Sequence, residues 1–133
     1  MKLVYKAIIP STETNSNGST KGGFIFELMD FSGVTYLNEL FVNQLPENEA
    51  LVTNEASIKY ISSVFAHDYI EIFADLISIS PGNVTVNVEL HSRDKKSTEW
   101  KLSANAVLSF TIINTDTRRV VRIPREIINA IKG

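Results

Sequence analysis

The sequence has no cysteine among its 133 residues. Disulfide bonds, a thiolate nucleophile and cysteine-based zinc sites are therefore excluded. Histidine is also scarce: only His67 and His91 are present, and neither has a second ligand at metal-binding spacing. The sequence therefore predicts no metal site.

An excess of basic charge and a long apolar run are missing as well. The formal net charge is -2, which offers no basic face for nucleic acid. No run of about 18 apolar residues occurs, and no basic segment precedes an apolar core with a cleavage site. We expect a soluble cytoplasmic protein that binds neither nucleic acid nor membrane. A hydrophobic content of 44% is enough for one packed domain spanning residues 1–133.

The residue pattern predicts one long helix and several strands. The strand segments share β-branched and aromatic residues and are bounded by turn residues. They are residues 2–9, 51–60, 69–80, 83–92, 98–113 and the short 119–122, while helices are predicted from Phe24 to about Val42 and after Pro124. One strand, one long helix and then a run of antiparallel strands indicate an α+β fold, a curved antiparallel sheet wrapped around the helix.

Residues 14–33 form the most informative stretch, because a polar, glycine-rich loop leads directly into the apolar helix. Gly22 and Gly23 allow close approach of the backbone to a ligand, and the first turn of a helix leaves N–H donors unpaired. Asp30 follows Gly23 by seven residues, which places both on one helix face about 10 Å apart. The pattern fits a site that combines N–H donors with a base, and equally a plain turn followed by a solvated carboxylate.

Gly33 is unusual because it lies within the predicted helix. A glycine there costs about 1 kcal/mol relative to alanine, so a compensating contact is expected. We predict close packing of the helix against another backbone at this position.

The order of several short motifs resembles the signature of hotdog-fold acyl-CoA thioester hydrolases, specifically the small single-domain bacterial branch. The matching residues run along almost the whole chain. They are Ile9-Pro10, Thr14-Asn15-Ser16-Asn17-Gly18, Gly22-Gly23, Met29-Asp30, Gly33, residues 58–74, Asn87-Val88-Glu89, Ala106-Val107 with Phe110, and Ile123-Pro124-Arg125-Glu126.

This resemblance implies a hotdog homodimer whose two sheets join edge to edge, with dimers assembled further into a trimer of dimers, a homohexamer. It also implies an active site shared between protomers, with Asn15 from the loop of one and Asp30 from the helix of the other. The backbone N–H of Gly23 would point toward the thioester oxygen. Asn17, Gly18 and Gly22 would line the substrate site.

The implied reaction is hydrolysis of acyl-CoA to a free acid and coenzyme A. It needs no cofactor, because coenzyme A is part of the substrate, and a thiol with a pKa near 8.5 leaves readily as thiolate. Asp30 would act either as general base toward water or as nucleophile that forms a mixed anhydride. The sequence leaves both routes open.

The basic hairpin tip offers contacts for the phosphates of coenzyme A. Arg93, Lys95 and Lys96 carry the charge-assisted donors that phosphate prefers, although such a tip is also typical of a solvated sheet edge. A second candidate cluster contains Arg118, Arg119, Arg122 and Arg125.

Two other functions remain to be compared. A hotdog module that binds acyl-CoA without hydrolysing it would fit if Asp30 faced the sheet. A hotdog dehydratase needs a histidine beside its carboxylate, and neither the loop nor the long helix contains one.

Overall fold

A computed structural model describes residues 1–41 and 45–133 of the chain. It contains six strands and two α-helices, with a short 3-10 turn at Ser11–Glu13. In chain order the elements are β1 (Lys2–Ile8), α1 (Gly22–Leu40), β2 (Glu49–Tyr60), β3 (Tyr69–Ser80), β4 (Asn83–Arg93), β5 (Lys101–Asn114), β6 (Val120–Val121) and α2 (Arg125–Lys132).

The strands form one antiparallel sheet in the order β1-β3-β4-β5-β2, with β6 paired to β5. Strand β4 shows why one face of this sheet is covered. Its side chains alternate strictly between buried and half-buried, with Val84, Val86, Val88 and Leu90 all fully buried. This period of two is the pattern of a strand with one face on the core.

Helix α1 covers that face and contacts all five long strands. Its buried side is made of residues at three- and four-residue spacing: Ile25, Met29, Ser32, Gly33, Tyr36 and Leu37. Burying a side chain such as Met29 or Leu37 contributes about 1.5–3 kcal/mol. The predicted α+β architecture, with a sheet packed around a long helix, is confirmed.

The helix differs from the prediction at its start. It begins at Gly22 rather than Phe24, so the two glycines form its first turn instead of the end of the loop. It ends at Leu40, with Phe41 as its C-cap, and the predicted end at Val42 lies outside the described residues.

Gly33 packs closely, but against a different partner from the one expected. A Cβ added there would lie 3.1 Å from Leu108 Cδ1 and 3.3 Å from Phe110 Cζ. Both neighbours are fully buried side chains of β5. The predicted contact with another backbone is therefore wrong, because large side chains fill the space between helix and sheet.

Three loops meet at one end of the sheet, where α1 also begins. Strands β1, β2 and β4 end there, and β3 and β5 start there. The loop after β1 is tied to the loop after β2 by a bridge between Ser19 and Phe65, and by a 3.1 Å hydrogen bond from Ala66 N–H to the Gly18 carbonyl. These contacts fix the glycine-rich loop beside the start of the helix.

Neither described helix is long and apolar enough to cross a membrane.

Candidate active site

The start of α1 has no side-chain cap. Lys21 occupies the N-cap position in an extended conformation, and its carbonyl accepts from Phe24 N–H at 3.1 Å and Ile25 N–H at 3.2 Å. Within residues 1–41 and 45–133, the N–H groups of Gly22 and Gly23 donate to nothing. Two donors are therefore free at the positive end of a 19-residue helix.

The two glycines have different surroundings. A Cβ on Gly22 would lie 3.3 Å from the Tyr60 ring, and the Tyr60 hydroxyl donates to the Gly22 carbonyl at 2.8 Å. Apart from its chain neighbours and the backbone of its own helix, no atom of the described residues lies within 4 Å of a Cβ added to Gly23. Gly22 is covered by Tyr60, whereas Gly23 is open to an approaching group.

Asp30 lies two turns further along α1 and is half-buried. Its Oδ1 accepts a hydrogen bond of 2.6 Å from the hydroxyl of Thr53 in β2. Since Thr53 pairs with the fully buried Phe110, it lies on the face of the sheet that α1 covers. Asp30 thus faces the edge strand β2, which is the orientation under which a non-catalytic binding module would also fit, and one of its two carboxylate oxygens is held by the protein.

Thr53 was missed by the sequence analysis, and the reason is a β-bulge. The pairing of β2 with β5 shifts between Thr53 and Glu55, so Asn54 is an extra residue in the strand. The helix-facing positions are consequently Leu51, Thr53, Ala56 and Ile58, which breaks a strict alternation. The available signal was a hydroxyl residue two positions after Leu51, in an otherwise apolar series.

Asn15 lies in a tightly closed turn. Its N–H donates to the Ser19 carbonyl at 2.7 Å, its carbonyl accepts from Gly18 N–H at 2.9 Å, and Gly18 has a positive φ of 86°. The Asn17 side-chain oxygen accepts from the N–H and the hydroxyl of Ser19, at 3.0 and 2.7 Å. Asn17 and Gly18 thus shape the loop that presents the exposed Asn15 side chain.

Asn15 and Asp30 are not joined within one protomer. Among the described residues, the Asn15 amide contacts Ser19 at 3.4 Å, while Asp30 contacts Thr53. Gly22, Gly23 and Asp30 therefore lie on one helix, and Asn15 lies in the loop that leads into it, with no hydrogen bond to Asp30 among the described residues.

The basic hairpin has two parts with different surroundings. The Arg93 guanidinium lies 4.5 Å from the centre of the Tyr69 ring and 5.1 Å from that of Trp100, and it donates to the Ser97 carbonyl at 2.7 Å. These contacts fasten the hairpin and border a cavity of about 540 Å³ on the sheet face opposite α1.

Lys95 and Lys96, by contrast, are exposed. They border a cavity of about 200 Å³ with residues 66–68, the segment bonded to Gly18. The arginines at positions 118, 119, 122 and 125 flank β6, which pairs with the far end of β5. The structure therefore brings the lysines near the loop and separates the second basic cluster from it.

Within residues 1–41 and 45–133, no three side chains of the metal-binding types come together.

Comparison with known proteins gives a consistent result. A family model described as "Thioesterase-like superfamily" matches residues 10–131. A protein of Buchnera aphidicola subsp. Acyrthosiphon pisum, named an uncharacterized acyl-CoA thioester hydrolase, is 23% identical over 129 residues, which is 95% of this chain and 92% of the relative.

Two solved structures show the fold. A hexameric hotdog-fold thioesterase of Campylobacter jejuni superimposes with a TM-score of 0.84 at 20% identity, over 100% of this chain and 98% of that one. A hexameric thioesterase of Yersinia pestis gives a TM-score of 0.78 at 22% identity, over 92% and 95%. The predicted hotdog fold is confirmed.

Proposed function

Because the chain belongs to the thioesterase-like superfamily, we propose that it hydrolyses acyl-CoA to a free carboxylic acid and coenzyme A. The name of the Buchnera relative points to the same reaction. The observation that carries the proposal is the uncapped start of α1, with two free N–H donors two turns from a carboxylate. Acyl transfer needs these two elements.

The N–H of Gly23 stabilises the oxyanion. Negative charge develops on the thioester oxygen when the carbonyl carbon is attacked, and a fixed donor at a helix start stabilises that charge. Gly23 serves this role better than Gly22 because its surroundings are open, whereas Tyr60 covers Gly22. Gly22, the residue before Gly23, lines the substrate site.

Asp30 activates the attacking group by one of two routes. As a general base it takes a proton from water while the water oxygen bonds to the carbonyl carbon; the C–S bond then breaks, and the thiolate takes up that proton. As a nucleophile it forms a mixed anhydride with release of the thiolate, and water then hydrolyses the anhydride. In either route Thr53 holds Oδ1 and leaves Oδ2 to react. Neither route needs a cofactor.

A second protomer completes the site. Asp30 is bonded to β2, which is an edge strand of the sheet, so a partner that pairs along β2 brings its own loop close to this carboxylate. Asn15 of the partner subunit then orients the water or the thioester carbonyl. The two solved relatives are named as hexameric, and the corresponding assembly here is a trimer of such dimers.

Coenzyme A lies along the end of the sheet at which the three loops meet and α1 begins. Lys95 and Lys96 are exposed beside the segment bonded to Gly18, where their ammonium groups reach the phosphates. Arg93 supports this contact by fixing the hairpin through the Ser97 carbonyl. Asn17 and Gly18 stabilise, through their hydrogen bonds, the turn of the glycine-rich loop that contains Asn15.

Thiol release from acyl-CoA substrates of short, medium and long chain tests the proposal. Asp30→Asn keeps the shape of the side chain and removes its charge, so release should fall about 100-fold or more. Glu27→Gln, at an exposed position one turn earlier, is the matched control and should retain activity. A wild type that binds acyl-CoA but releases no thiol would instead identify a non-catalytic binding module.

A further inference from the structure

Tyr60 joins the end of β2 to the first turn of α1. Its hydroxyl donates to the Gly22 carbonyl at 2.8 Å, and a Cβ added to Gly22 would lie 3.3 Å from its ring. Tyr60 pairs with Ala104, which itself lies opposite the fully buried Leu90 on the sheet face that α1 covers. The strand therefore directs this side chain onto the start of the helix.

The hydrogen bond acts on the same peptide unit that contains the proposed oxyanion donor. The Gly22 carbonyl and the Gly23 N–H belong to one planar amide group and point in opposite directions across it. Fixing the carbonyl oxygen therefore also fixes the direction of the N–H. Donation to the carbonyl polarises the amide as well, which makes its N–H a stronger donor to negative charge.

This amide group has little other support. Both of its residues are glycines, which have the largest backbone freedom, and the helix starts without a side-chain cap. A carbonyl oxygen can accept two hydrogen bonds, so the Tyr60 hydroxyl adds to the bond that the helix itself provides. Among the residues that the structure describes, no other side chain bonds to the backbone of Gly22 or Gly23.

Strand β2 thus contacts α1 at both parts of the proposed site. Tyr60 bonds to Gly22 at 2.8 Å, and Thr53 bonds to Asp30 at 2.6 Å. One hydrogen-bonded strand therefore sets the position of the N–H donor relative to the carboxylate.

We infer that Tyr60 is a positioning residue for the oxyanion: through the Gly22 carbonyl, its hydroxyl orients the Gly23 N–H toward the thioester oxygen. The inference rests on the proposed function. The N–H interacts most strongly when negative charge develops on that oxygen, so Tyr60 acts mainly on the transition state and little on substrate binding.

The first test is the kinetics of Tyr60→Phe, which keeps the ring beside Gly22 and removes only the hydroxyl. Weakening one hydrogen bond in the transition state should lower kcat about 3- to 10-fold and leave KM within about twofold of wild type. Thiol release over a range of acyl-CoA concentrations measures both constants, and the Tm of the variant verifies that it is folded.

Tyr36→Phe is the matched control. Tyr36 is buried on the same helix, about 21 Å further along its axis than Gly22. Removal of its hydroxyl should leave kcat and KM unchanged. Equal losses of kcat in the two variants would overturn the inference, because the effect would then be one of helix packing.

Infrared spectroscopy tests the orientation of the N–H directly. Asp30→Asn slows hydrolysis, so an acyl-CoA isotopically labelled at the thioester carbonyl can be observed in the bound state. A hydrogen bond to that oxygen lowers the stretching frequency of the carbonyl, and adding Tyr60→Phe should reduce this shift. Adding Tyr36→Phe instead should preserve it.

A lower kcat together with a reduced shift supports the inference. An unchanged kcat in Tyr60→Phe would overturn it, as would a lower kcat with the full shift retained, because the hydroxyl would then act elsewhere. A failure of the proposed function has a different signature, since wild type itself would then release no thiol from any acyl-CoA.

Discussion

The Thr53 hydroxyl donates a 2.6 Å hydrogen bond to Asp30 Oδ1 and so joins the middle of α1 to the edge strand β2. This is the contact through which the protein fixes the carboxylate. A hydrogen bond to a charged group is stronger than a neutral one, contributing about 1.5–3 kcal/mol. Thr53 is thus a positioning residue for Asp30.

Replacing Thr53 by valine should lower kcat about 10-fold with little change in KM, because the misplaced carboxylate affects the chemical step more than binding. Steady-state kinetics on one acyl-CoA measure both constants. Thr53→Ser retains the donor and should restore most of kcat.

Thr111→Val provides the control for that experiment. Thr111 lies opposite Val52 on the other face of the sheet, so the same change of residue type is made away from Asp30. Equal losses of kcat in Thr53→Val and Thr111→Val would show that the effect is a general one on the sheet and not on the carboxylate.

Gly33 and Gly23 lie in the same helix, but replacement by alanine should lower the free energy of unfolding at Gly33 and should not lower it at Gly23. At Gly33 the new methyl group would lie 3.1 Å from Leu108 Cδ1, and overpacking of this kind costs about 1–3 kcal/mol. At Gly23 the space is open, so the better helix propensity of alanine should leave stability unchanged or raise it by up to about 1 kcal/mol.

Urea denaturation of both variants measures this difference. Leu108→Val, combined with Gly33→Ala, should recover part of the loss, because the shorter side chain makes room for the methyl group. Strict additivity of the two changes would contradict the close contact between Gly33 and Leu108.

Lys95 and Lys96 should affect binding of coenzyme A through charge. Replacing both by alanine should raise KM for acyl-CoA, and the effect should shrink as salt increases, because exposed charges are screened. The acyl-pantetheine analogue lacks the nucleotide phosphates and should respond little. Arg118→Ala with Arg119→Ala removes two exposed charges at the other end of the sheet and should leave KM unchanged.

The sequence predicted the fold where local patterns reflect burial directly. The alternation in β4 and the apolar spacing in α1 arise because each element has one face on the core. Asp30 stood out for a related reason, as an acidic residue among the apolar positions of that helix.

Other parts of the site depend on contacts that no local pattern records. The bulge at Asn54 changes which residues of β2 face the helix, and this concealed Thr53. The role of Asn15 depends on a second protomer, whose position a single sequence does not specify.

Mixing two inactive variants tests whether the protomers share a site. In a dimer of Asn15→Ala with Asp30→Asn, one site contains both changes, while the other pairs an intact Asn15 with an intact Asp30. Random exchange of protomers should therefore restore about a quarter of wild-type activity, since half of the dimers are mixed and each has one working site of two. A site built within one protomer would regain nothing, because every protomer then carries a defect. As the control, each variant is taken through the same exchange procedure without the other variant, and it should remain inactive.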